Sequence, residues 1–204
     1  MSYFVTAIGT DSGKTLVSAI LTEALGADYW KPVQAGLPAD TDTVRSLVSD
    51  PAATFHPERY RLNTPASPHA AAAIDGITIQ LTEFQAPQTD RPLIVEGAGG
   101  ALVPLNDHDT VLDLAEHLRL PIVLVSNLYL GNINHTLLTA KELQRRQLPV
   151  AGLIFNGPSN LESERIILHH TRYRCWLRVA QEEEVTPAVV RRYADQLRKN
   201  LNLK

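Results

Sequence analysis

A chain of 204 residues, 44% hydrophobic and 20% charged, can bury one core without disulfide or metal staples. Its formal charge of −3, with no basic block, argues against a nucleic-acid partner, and no apolar run nears the roughly 18 residues of a bilayer span. The lone cysteine, Cys175, excludes an internal disulfide, reads as a small buried hydrophobe and suits a reducing cytoplasm. No basic region opens the N-terminus, so a secretory signal is not expected.

Residues 3–8 form a short apolar run that reads as a buried strand. Gly13-Lys14-Thr15 then opens a segment of helical periodicity. Strand, loop, Gly-Lys-Thr and helix are the context of a nucleoside-triphosphate loop. Backbone N–H groups along Gly9, Thr10, Asp11, Ser12 and Gly13 would cradle phosphate at the helix N-terminus. Lys14 would reach the β- and γ-phosphates, and the Thr15 hydroxyl would bind Mg²⁺. Against the pattern G-x-x-x-x-G-K-[ST], Ala7 is read as the replaced first glycine, tolerable if its φ stays negative.

Val17, Ile20, Leu21, Ala24 and Leu25 keep helical spacing until Gly26 stops them. A second strand, 27–30, delivers Lys31 to the edge where open α/β sheets bind ligands. In Asp40-Thr41-Asp42-Thr43 two readings stand: Asp40 or Thr41 caps a helix, or an aspartate supplies a metal carboxylate. Residues 51–67 read as irregular. Pro68 opens a short buried alanine-rich helix, beside His69 as a hydrogen-bonded structural histidine or a substrate contact. The strand in 91–95 ends in Glu96 and a glycine-rich turn. Glu96 is either a Mg²⁺ partner of Thr15 or a polar strand end.

Further on, a helix through Val111 and Leu118, a strand over 121–125 and a helix through Leu138 and Leu143 follow. Next come a strand over 150–155 ending at Asn156, a helix over 161–168, a strand over 176–179 and a terminal helix capped by Thr186. The alternation predicts an α/β fold. It has three layers, a mostly parallel central sheet with helices on both faces, P-loop NTPase-like, in one domain over 1–204. Lys31, Glu96, Ser126, Asn127 and Asn156 all follow strands and should gather on one edge.

Several segments together resemble dethiobiotin synthetase. They are Thr6-Ala-Ile-Gly-Thr-Asp-Ser-Gly-Lys-Thr15, Lys31-Pro-Val-Gln-Ala-Gly36, Ser67-Pro-His69, Val95-Glu-Gly-Ala-Gly-Gly100, Val103-Pro-Leu105, Leu130-Gly-Asn-Ile-Asn-His135 and Asn156. The resemblance covers about residues 3–160. It implies a homodimeric ligase that uses Mg²⁺ and ATP to join CO₂ to 7,8-diaminopelargonate and close the ring of dethiobiotin. The path runs through a carbamate and a carbamic–phosphoric anhydride. It implies Lys14, Lys31 and Thr10 as catalytic groups and Thr15, Asp42 and Glu96 as Mg²⁺ ligands. It places Asn156 on adenine. Thr10, Lys31, Ala35 and Gly99 lie on the substrate, and Leu130, Gly131, Asn132 and Asn134 of the second subunit reach its carboxylate tail.

The chain departs from the family's pattern at Ala7, at Ala35 (where Ser or Thr is usual), and at Leu177-Arg178-Val179-Ala180 in place of a Gly-x-Ile-Pro strand end. A nucleotide-switch ATPase of the partitioning or maturation class is the competing reading. Gly9, where those proteins often carry a second loop lysine, counts against it. A relative with degenerate nucleotide binding is a third reading.

Overall fold

Apolar runs such as Leu93-Ile94-Val95 and Ile122-Val123-Leu124-Val125 are buried along their whole length, as strands covered on both faces must be. In the computed structural model, which describes residues 1–203, these runs form the middle of a sheet. Lys204, the end of the expected 1–204 domain, lies outside the described residues.

In chain order the elements are strand β1 (Tyr3–Ala7), helix α1 (Lys14–Leu25), β2 (Asp28–Trp30), β3 (Val33–Ala35), α2 (Asp40–Leu47), β4 (Phe55–His56), β5 (Tyr60–Leu62) and α3 (Pro68–Ile74). A 3-10 turn (Leu81–Glu83) precedes β6 (Leu93–Glu96). Then follow α4 (Val111–His117), β7 (Ile122–Asn127), α5 (Asn132–Arg145), β8 (Val150–Asn156), α6 (Leu161–Thr171), β9 (Cys175–Val179) and α7 (Pro187–Leu201). Seven strands make one sheet in the order β4-β2-β6-β1-β7-β8-β9, and every pairing in it is parallel. β3 and β5 pair in a separate two-stranded parallel sheet, so residues 51–67 hold short strands where irregular chain was expected.

Alternate residues of the strands feed two cores. Phe4, Val95, Leu124 and Phe155 join the α4 side, while Val5, Ile94, Val123 and Ile154 pack beneath α1 and α7. The period of two along each strand produces this division. Helix ends follow local chemistry. Gly26 stops α1 in the left-handed region at φ 56, and the Thr186 side chain accepts from Val189 N at the start of α7.

β1 lies between β6 and β7: β2, β4 and β6 are laid down on one side of it, and the chain then crosses to the other for β7, β8 and β9. This reversal is the switch point where open parallel sheets leave a crevice beyond the C-terminal strand ends. The loop after β1 opens into it.

Candidate active site

Lys14, Lys31, Thr15, Asp40 and Glu96 line one cavity of about 760 Å³, together with Thr10, Ala35 and Gly99. Its floor is the loop between β1 and α1. Asp11 (φ 55) and Gly13 (φ 87) both take left-handed conformations, the backbone alternation that forms an anion-binding nest. Among the described residues, no amide N–H from Gly9 to Gly13 donates to a protein acceptor. Those donors are available to an anion at the N-terminus of α1.

The loop is held from behind. Ser12 Oγ donates to Asn127 Oδ1 at 2.9 Å, and Asn156 Nδ2 donates to the Ser12 carbonyl at 3.1 Å. A Cβ on Gly13 would overlap the Asn156 amide, which makes glycine obligatory there for space as well as conformation. Asn156, expected on adenine, thus spends one N–H on the phosphate loop and keeps its carboxamide oxygen and second N–H. Gly100 fits flat against the same loop, where an added Cβ would stand 3.1 Å from Gly9 Cα.

Counted back across four residues from Gly13, the first-glycine position is Ile8. Ala7 is one residue earlier, the buried last residue of β1. Neither has a positive φ, so a side chain is tolerated at both.

The ammonium of Lys14 bends back to the Gly9 carbonyl at 3.3 Å. Burial, and then the neighbouring charge of Lys31, push its pKa down to about 8. An anionic phosphate in the nest would supply the missing counter-charge.

β2 and β6 end side by side, which brings Lys31 to Glu96. Lys31 is 3% and Glu96 1% exposed. Lys31 Nζ lies 2.7 Å from Asp40 Oδ2 and 3.0 Å from Glu96 Oε1, and it also donates to the Gly97 carbonyl at 3.0 Å. Burial works against the Lys31 charge, but the carboxylates of Glu96 and Asp40 outweigh it and raise its pKa. Burial likewise opposes the Asp40 charge, yet Lys31 and the Thr15 hydroxyl hold the carboxyl below its ordinary value. Tyr29 donates to Glu96 Oε2 at 3.0 Å. Its own pKa is raised well above the usual value by burial and by the Glu96 charge.

The residues fit a Mg²⁺ ion on the count of protons. Thr15 Oγ1 is 3.0 Å from Asp40 Oδ1 and 3.1 Å from Glu96 Oε1. A hydroxyl has one proton, so one of the two contacts sets acceptor against acceptor. A cation among the three oxygens removes that conflict. The donors are hard oxygens, and among the described residues no group of three or more His, Cys, Asp or Glu side chains could form a protein-only cage. Mg²⁺ takes few protein ligands and keeps water and phosphate.

The expected carboxylate Asp42 does not share this cluster. It is exposed and pairs with Arg45 at 2.7 Å. Two residues along a helix turn the side chain by about 200°, so only Asp40 of the pair faces Thr15. Neither Asp40 nor Thr41 caps the helix: the N-cap is Ala39. His69 is exposed, its backbone N–H donates to the Pro104 carbonyl, and its side chain makes no hydrogen bond among the described residues. Leu130, Gly131 and Asn132 lie off the cavity of their own chain, beside a smaller one of about 360 Å³, and Asn134 is exposed on the first turn of α5. Tyr29 and Gln34 belong to the site's frame without having been foreseen. Only the alignment of strand ends with α2 reveals them.

Residues 1–189 match the family described as "AAA domain". A protein of Cytophaga hutchinsonii named "ATP-dependent dethiobiotin synthetase BioD" is 59% identical over 96% of this chain and 96% of its own. A protein of the same name from Christiangramia forsetii is 45% identical over 98% and 97%. Among solved structures, the cell division ATPase MinD of Pyrococcus furiosus aligns with a TM-score of 0.62 at 13% identity, over 98% of each chain. A ParA family ATPase from Chlorobium tepidum aligns with a TM-score of 0.54 at 12% identity, over 100% of this chain and 93% of its own. These distant structures share the P-loop NTPase fold.

Proposed function

Since this chain belongs to the ATP-dependent dethiobiotin synthetase family, we propose that it converts 7,8-diaminopelargonate, CO₂ and ATP to dethiobiotin, ADP and phosphate, a step of biotin biosynthesis. The observation that carries the assignment of roles is the meeting of two lysines, two carboxylates and a hydroxyl in one cavity, beside a nest whose N–H groups have no protein acceptor.

The nest from Gly9 to Gly13 binds the ATP phosphates through its N–H groups, with Lys14 turning from the Gly9 carbonyl to the β- and γ-phosphates. Asn156 meets adenine with the part of its amide that Ser12 leaves free. Thr15, Asp40 and Glu96 hold Mg²⁺, which when bound neutralises phosphate charge. One amine of the substrate captures CO₂ as a carbamate. A carbamate and a γ-phosphate repel each other, and Lys14 and Lys31 supply the positive charge that lets them approach. Thr10, whose hydroxyl faces Gly99, donates to the carbamate. The carbamate oxygen attacks the γ-phosphorus and the bond to ADP breaks. The second amine then attacks the carbonyl carbon of the anhydride, a proton is lost, phosphate leaves and the ureido ring closes. Ala35 and Gly99 leave room for the aliphatic chain, at the loss of one hydrogen bond from position 35.

The working unit is a homodimer in the cytoplasm, folded as one domain per chain. Leu130, Leu138 and Leu102 are exposed by 102%, 59% and 53%. The last two border an apolar hollow of about 730 Å³ between the strand-edge loops and α5. Apolar side chains so placed favour a protein contact, and Leu130, Gly131, Asn132 and Asn134 then serve the substrate tail in the facing subunit.

The test is product formation. Purified protein with the diamine, bicarbonate, Mg²⁺ and ATP should release phosphate in a diamine-dependent way and yield dethiobiotin by mass spectrometry. ATP hydrolysis that ignores the diamine and responds to DNA or a protein would overturn the assignment in favour of a nucleotide switch.

A further inference from the structure

We propose that Gln34 is a positioning residue for the carboxylate of Asp40. The proposal rests on the reading of Thr15, Asp40 and Glu96 as Mg²⁺ ligands. Helix α2, which carries Asp40 as its first residue, has no side-chain cap, because its N-cap is Ala39. The Ala39 carbonyl accepts from Asp42 N and Thr43 N and leaves Asp40 N to find another partner. Gln34 provides it: the side-chain oxygen accepts from Asp40 N at 3.0 Å. The other end of the same amide, Nε2, donates to the Gly36 carbonyl at 3.0 Å.

The Gln34 side chain therefore closes a bridge across 36–39, from β3 to the start of α2. Its backbone is fixed by the pairing of β3 with β5, where it stands opposite Arg61. Gln34 is 5% exposed, so the bridge is shielded from competing water. With Asp40 N pinned on one side and Asp40 Oδ2 drawn 2.7 Å from Lys31 on the other, Asp40 Oδ1 is left aimed at Thr15. Removal of the bridge lets the first turn of α2 fray and the carboxylate leave the Thr15–Glu96 pair. Partners of a metal ligand that act through it commonly change metal affinity by about 10–100-fold.

The experiment uses Mn²⁺ as an EPR-visible probe, bound to the full chain saturated with ATP. Gln34→Met, which keeps the side chain's length, should weaken Mn²⁺ binding about tenfold. ATP affinity measured in EDTA should stay within about twofold. In an Asp40→Ala background the same change should cost nothing further, since the two act as one unit.

Wild-type Mn²⁺ affinity in Gln34→Met overturns the proposal, as does an equal further loss in the Asp40→Ala background. If Gln34→Met does not fold, the wild-type side-chain amide resonance of Gln34 decides. It should shift on adding Mg²⁺ to the ATP complex, and an unmoved resonance overturns the proposal. Mn²⁺ binding at wild-type strength in Asp40→Ala alone would instead defeat the metal assignment itself.

Discussion

Strand β2 has a buried ionic cluster at each end, and the two differ in what their charges face. At its start, Asp28 is 2% exposed. It accepts from Thr54 N at 2.9 Å and from Thr89 Oγ1 at 2.6 Å. Arg91 lies 3.3 Å away and His56 3.6 Å away, and Arg91 also pairs with Asp50. Just beyond its end, Lys31 meets Asp40 and Glu96 beside a cavity. The Asp28 carboxylate is enclosed by donors and has nothing left to bind. The Lys31 cluster has one hydroxyl proton for two carboxylate contacts and opens onto space a ligand can fill. Burial of charge is common to both; surplus acceptors facing a cavity set the second apart.

The sharpest way to break this contrast is to remove a charge from each end. Lys31→Met should lower kcat by about 10²–10³-fold by deleting the positive charge beside the reacting anions, as seen in steady-state phosphate release. Full activity in that variant would dissolve the distinction. Asp28→Asn should leave the activity per folded molecule unchanged and cost about 2 kcal/mol of stability in urea unfolding.

The pH dependence of Asp28 has a definite sign. Burial opposes its charge, but the bonds from Thr89 and Thr54, with His56 and Arg91 beside them, hold its folded pKa below the ordinary carboxylate value. The stability it contributes is fully present above the unfolded value and is lost as pH falls through the folded one. The gap between wild type and Asp28→Asn should close in that acid window and persist at neutral pH.

Smaller changes sharpen the comparison. Tyr29→Phe removes only the hydroxyl that steadies Glu96 Oε2 and should cost about 1.5 kcal/mol, with a thermal melt as the readout. Ala7→Gly should cost about 0.5–1 kcal/mol through strand entropy and leave ATP affinity within calorimetric error. A large gain in affinity would mean that β1 ends in a strained conformation.

The alternation of elements, the phosphate loop, and the delivery of Lys31 and Glu96 to one edge were legible in the sequence, because strand periodicity and strand ends are local signals. The choice between Asp40 and Asp42 was not. It depends on where α2 begins, and an alanine N-cap gives no local sign of that. The β3–β5 pair was hidden because each strand has three residues and is flanked by proline. Asn156 was placed correctly at the end of β8. That its amide would hold the Ser12 carbonyl depends on a contact across 144 positions. Tyr29 and Gln34 escaped notice for the same reason: their partners, Glu96 and Asp40, are set by sheet order and loop closure.

The overlap that any Cβ on Gly13 would make with Asn156 restricts the mutational paths open to this enzyme. Alanine or serine at position 13 demands a simultaneous retreat at 156, and a smaller residue at 156 releases the Ser12 carbonyl. Codon by codon, each first step is a loss. Drift at 156 does not free position 13, where φ 87 disfavours any side chain whatever the space, so the pair is expected to stay as it is.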